Sequence, residues 1–156
     1  MIAVAVVAIL TLIAVPLFSG ESRKGKAKSE IGPMFAELSS KEEAYKIDNN
    51  VYLNAAACPA TPTAQLQDAS ACATTWSALR VALPQQEVRC SYYVTSGLSG
   101  ATPVPPAGFT FKPAGAQAIA WYFIVATCDM DGSSGTNSSY FQGSGDGVIQ
   151  IQNEGQ

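Results

Sequence analysis

The stretch that decides the reading is Met1–Phe18, MIAVAVVAILTLIAVPLF, with no charge and Thr11 as its one polar side chain. As an α-helix it extends about 27 Å, slightly short of a bilayer's hydrocarbon core. A cleavable signal peptide fits poorly, because such signals open on a basic segment and this apolar run starts at the first residue. Ser19, Gly20, Glu21 and Ser22 also offer no small-x-small cleavage site. An ordinary single-pass anchor meets a different obstacle. The basic cluster Arg23, Lys24, Lys26 and Lys28 would hold the downstream chain on the cytoplasmic side. The four cysteines beyond it point instead to an oxidising compartment. The expectation is that something preceding Met1 sets the orientation.

The helical pattern continues past the apolar run. Ile31, Met34, Phe35, Leu38, Tyr45 and Tyr52 recur at helical spacing, and Glu37/Lys41 and Glu42/Lys46 form i,i+4 pairs in the favourable order. Pro16, Gly25 and the Gly32-Pro33 pair are expected weak points. The sequence predicts one long interrupted helix over about residues 1–50, ending in Asp48-Asn49-Asn50. It divides into an apolar half, 1–22, and an amphipathic half, 23–53, ahead of a globular part, 54–156.

A chain of 156 residues allows one domain with a real core. A net charge of −3 gives no electrostatic case for nucleic acid. The absence of histidine removes the commonest general base and metal ligand, so neither an enzyme nor a cofactor is expected. Residues 54–75 read as a loop, and Trp76, Leu79 and Val81 as a helical turn. Strands are expected at 88–95, 109–111, 119–128, 139–142 and 148–152, with 119–128 central and buried. The final one should place Val148, Gln150 and Gln152 on one face and Ile149 and Ile151 on the other. The expected class is α+β, a long N-terminal hydrophobic helix packed on a small antiparallel β-sheet.

Four cysteines allow three pairings, and no CxxC suggests zinc. Cys58–Cys72 is favoured because both lie in one irregular loop, and Cys90–Cys128 because it would join strands that can be neighbours. Asp129, Asp131 and Ser133 resemble the opening of a calcium loop. Tyr140 stands where a bidentate acid is needed, however, and the plainer reading is a polar turn between strands. Asn137-Ser-Ser is a formal glycosylation sequon.

MIAVAVVAILTLIAVPLF, with a proline at Pro16, together with SRKGKAKSEIGPMFAELSSKEEAYKIDNNVY, resembles the type IV pilins over about residues 1–52 and only loosely beyond. The resemblance implies a pilin-like fold and a structural role as a subunit of an extracellular filament, supporting motility, adhesion or DNA uptake. It implies copies of the same chain as partners, with Met1, Ile2, Val4, Val7, Leu10, Ile13, Pro16, Leu17, Phe18 and Gly20 carrying assembly. Pro16 and Gly20 are expected to let a segment unwind.

A prepilin peptidase, an inner-membrane assembly platform, and host or abiotic surfaces are further implied partners. The chain would reside in the inner membrane before assembly. The family's basic leader ending in glycine, and the Phe-Thr-Leu-Ile-Glu-Leu start that comes after it, are expected ahead of Met1. Two alternatives stay open: a minor pilin or secretion pseudopilin, and a single-pass, membrane-anchored extracytoplasmic binding module.

Overall fold

The computed structural model describes residues 2–133 and 135–155, with side chains from Glu21 onward. The first element, α1, is a helix over Ile2–Asn49. From Ala27 on, one face is buried through Ile31, Met34, Phe35 and Leu38, whose spacing puts them on a single stripe. Asn50 ends the helix in the left-handed region (φ 61°), its N–H bonding the Lys46 carbonyl at 2.7 Å.

The weak points expected at Gly25 and Gly32-Pro33 do not interrupt α1. Buried side chains on both sides of Gly32-Pro33 supply packing that outweighs the local propensity. The Ser29 carbonyl, which Pro33 leaves without a donor, lies on the exposed face where water serves. Nor does the break expected at Pro16 appear, since α1 runs helical through Pro16 and Gly20; the side chains of the assembly residues Met1 to Gly20 lie outside the described ones.

After α1 come β1 (Ala55–Cys58), β2 (Gln67–Asp68), α2 (Ser70–Thr75), a 3-10 turn (Ser77–Leu79), β3 (Glu87–Val88), β4 (Cys90–Gly97), β5 (Trp121–Cys128), β6 (Ser138–Gly143) and β7 (Ile149–Gln152). The main sheet is antiparallel in the order β1-β4-β5-β6-β7, and β2 and β3 form a separate two-stranded ribbon. β4 to β7 form a meander in which Gly97 pairs with Trp121 and Cys90 with Cys128.

Alternation along the strands sends Tyr92, Val94, Tyr122, Ile124 and Tyr140 to the α1 side. It sends Trp121, Phe123, Val125 and Phe141 to the opposite side, where Phe109 and Phe111 cover them. β5 is therefore apolar on both faces, which explains its unbroken hydrophobic run. The segment 98–117 holds this second layer in place through the Trp121 indole N–H to the Ala101 carbonyl (3.1 Å). A side-chain amide pairing of Gln150 with the Thr110 backbone (3.0 and 2.6 Å) adds to it. Gly97 is required there, because a Cβ would run into the Trp121 ring.

The two disulfides are Cys58–Cys72, which ties β1 to α2, and Cys90–Cys128, which joins directly opposed residues of β4 and β5. Residues 54–75 are more ordered than a loop, with β1, β2 and α2 inside them. Ala-Ala-Ala-Cys has little intrinsic strand preference, and pairing with β4 and the Trp76 indole N–H on the Ala56 carbonyl (2.8 Å) hold it extended. Phe109–Phe111 is not a strand; its two rings are anchors of the covering segment.

The expected class, an α+β pilin-like fold built on a long hydrophobic helix and a small sheet, is corrected. Among the described residues the domain is mostly β, with a five-stranded antiparallel sheet and a disulfide-tied ribbon region. The helix it carries there, residues 21–49, is amphipathic, and among the residues whose side chains are described no helix is long and apolar enough to cross a membrane. The physical reason is the charge on the outer face of that helix, which confines apolar side chains to one stripe.

Candidate functional site

The helix–sheet junction is built around buried carboxylates of α1. Glu30, 2% exposed, accepts the Arg89 N–H on both oxygens (3.0 and 2.9 Å), the Cys90 N–H (2.8 Å) and the Tyr92 hydroxyl (2.8 Å). One side chain thus satisfies the backbone where β3 gives way to β4 and clamps the helix beside the Cys90–Cys128 bridge. Burial, with the facing Glu30 carboxylate adding to it, pushes the Tyr92 phenol's pKa well above its usual range. Nearer the middle of the helix, Glu37 accepts the Ala82 N–H (2.8 Å) and lies 3.7 Å from Lys41, the pair expected from spacing.

The other expected pair does not form. Glu42 is fully buried, and its Oε2 accepts the Leu53 N–H (2.9 Å) while its Oε1 has no partner. Lys46 turns instead to the Tyr52 hydroxyl (3.0 Å) and ring, and that hydroxyl donates to Glu43 (2.9 Å). Burial, with the like charge of Glu43 adding to it and the Leu53 N–H opposing, pushes the Glu42 carboxyl up to about 7. Sequence reasoning paired Glu42 with Lys46 on the helix surface and assigned no role to Glu30. For Glu42 the signal was present, because it stands four residues after Leu38 and eleven after Ile31, on the apolar stripe.

Asp129, Asp131 and Ser133 sit in a turn before β6. The Asp129 carboxylate accepts the Gly132 N–H (2.7 Å) and that of Asp131 the Ser133 N–H (2.9 Å). Bonding by Ser133, backbone first, holds Asp131 below the usual carboxylate range. These are local turn contacts, and among the described residues no group of three acidic, cysteine or histidine side chains could hold a metal. Of the sequon, Ser138 is buried, its hydroxyl donating to the Asn153 carbonyl (2.9 Å) and accepting the Gly155 N–H (3.0 Å).

Three concavities lie along the described part of α1, one of about 320 Å³ beside its C-terminal turns and the 3-10 turn. An open hollow of about 1060 Å³ lies between Ser29, α2 and the β2–β3 ribbon, with Asp68, Glu87 and Arg89 among apolar Leu66, Val81 and Leu83. Asp68 is engaged by the Ser70 N–H and hydroxyl (2.8 and 2.9 Å), which hold its carboxyl low. On the other flank a groove of about 190 Å³ runs between α1 and β7, lined almost wholly by apolar atoms. No protein-family model, no curated protein and no solved structure matches the chain.

Proposed function

We propose that the chain is a structural subunit of an extracellular filament of the type IV pilus class, without a reaction of its own. The single observation that carries this reading is the 18-residue uncharged run of Met1–Phe18, which leads into a helix whose side chains, among the described ones, are buried from Ala27 on. Such a run needs a dry environment. Lipid supplies one before assembly and sister helices supply one afterwards, so transfer between them costs little. In water, burial at roughly 25 cal/mol per Å² of apolar surface then holds the polymer together.

The sequence resemblance over residues 1–52 supports the same role; the mostly-β domain is no part of the support. On this reading the partners are copies of the chain, a peptidase and an assembly platform in the inner membrane, and the domain forms the coat. A monomeric anchored module is less favoured, because its helix has no reason to continue to Asn49 along the sheet. The test is electron microscopy of the purified full chain as detergent is withdrawn. Fibres of uniform width are expected; a chain that stays dispersed as single molecules under all conditions refutes the reading.

A further inference from the structure

β7 is the last strand of its sheet, and its sequence Ile149-Gln-Ile-Gln152 carries no charge or proline. Edge strands are ordinarily protected by such residues, because an apolar edge invites association. Here the helix-facing side of the edge is apolar and open. Ile151 is 41% exposed, and with Ile149, Tyr140, Ile31, Gly32 and Lys28 it lines the groove of about 190 Å³ beside α1. Gly32 leaves helix backbone as part of the wall, and a Cβ added there meets nothing within 4 Å. Lys28 adds no net charge, because Glu154 neutralises it at 3.0 Å.

We propose that this groove is a subunit docking site that receives one or two large apolar side chains from residues 1–18 of a second copy. The inference rests on the filament reading and deepens it by naming the surface that the apolar run meets. The chain's own run cannot fill the groove. It belongs to the same continuous helix as the groove wall, and Phe18 lies about 20 Å along the axis from Ile31. An uncharged slot matches the run, which offers only aliphatic and aromatic side chains apart from Thr11. The occupant is therefore another chain's helix, lying along α1 where Gly32 and Ala36 keep the outer surface low.

Two measurements on the full chain decide this. Gly32→Leu fills the groove from the exposed side of a helix, so the domain should melt no lower than wild type. The concentration needed for fibre formation on detergent withdrawal should rise roughly tenfold. In fibres carrying p-benzoylphenylalanine at position 151, irradiation should yield dimers whose cross-linked peptides map to residues 1–18 of the second copy. Cross-links that map to residues 54–156 of the neighbour overturn the proposal. So do normal fibres from Gly32→Leu, and in both cases the filament reading stands. If wild-type protein forms no fibres in the same assay, both fall together.

Discussion

Glu42 should make the domain more stable in mild acid than at neutral pH, the reverse of the usual behaviour of a carboxylate. Its carboxyl is displaced from 4.5 to about 7, mainly by burial, so the folded chain holds a proton that the unfolded chain releases. Stability from this group is complete below pH 4.5, falls as pH rises from there to 7, and is lost above. A displacement of that size corresponds to on the order of 3 kcal/mol. The window is clean, because the chain has no histidine to titrate inside it. The exposed carboxylates held low by local bonds, Asp68, Asp131 and Glu21, act only further down the pH scale and in the opposite sense.

Glu42→Gln keeps an acceptor for the Leu53 N–H and cannot ionise. Thermal unfolding of the full chain in nonionic detergent is readily followed by near-ultraviolet circular dichroism, since both tryptophans are buried. Wild type should lose roughly 5–10 °C in midpoint between pH 5 and pH 8. The variant should lose little and should melt above wild type at pH 8. A wild-type midpoint that is flat or rises over this interval, with the variant indistinguishable, refutes the argument.

Other substitutions test other parts of the junction. Glu30→Ala strips the acceptor from two backbone N–H groups and the Tyr92 hydroxyl, and urea unfolding should register a loss of roughly 3 kcal/mol or more. Replacing Cys58 and Cys72 by Ser opens a loop of 14 residues and should cost about 3 kcal/mol, with a steeper urea slope because the unfolded chain becomes less compact. Gly145→Ala aims a methyl at the Lys112 carbonyl oxygen, and hydrogen exchange should show the covering segment 98–117 opening sooner while β4 and β5 stay protected. Calcium added at millimolar concentration should release no heat, because the Asp129 and Asp131 carboxylates are already committed to their own turn.

What the sequence made legible were features that repeat with a period or join two cysteines. The β5 strand, the final hairpin with its Ile149/Ile151 face, the end of α1 and both disulfides were readable because each depends on local pattern. What escaped depends on partners distant in sequence. β1 is extended only because β4 and Trp76 hold it, and Phe109 and Phe111 look like strand residues until Trp121 and Phe141 are placed beneath them. Charge was misread for the same reason. Glu42 has Lys46 at helical spacing, yet its donor is the Leu53 N–H in the loop after α1; its place on the apolar stripe announces burial but not that partner.

The placement of Glu30 bears on how a filament subunit would carry load. In the proposed filament, tension along a fibre held by apolar helices would enter each subunit through the first half of α1 and leave through the domain. The first buried positions it reaches among the described side chains are Ala27, Glu30 and Ile31. Apolar contacts at Ala27 and Ile31 are non-directional and can slide, whereas the bonds from Arg89, Cys90 and Tyr92 to Glu30 fix the axial register of the helix on the sheet. Those bonds end at Cys90, which is covalently tied to Cys128 on the central strand, so force passes into two interior strands of the sheet rather than into an edge. Glu30→Gln preserves the size and an acceptor at this point. It should therefore leave the fold intact while lowering the force at which α1 detaches, a difference that single-molecule pulling on the N-terminus measures directly. Equal detachment forces for Glu30→Gln and wild type would mean that the apolar stripe alone holds the helix.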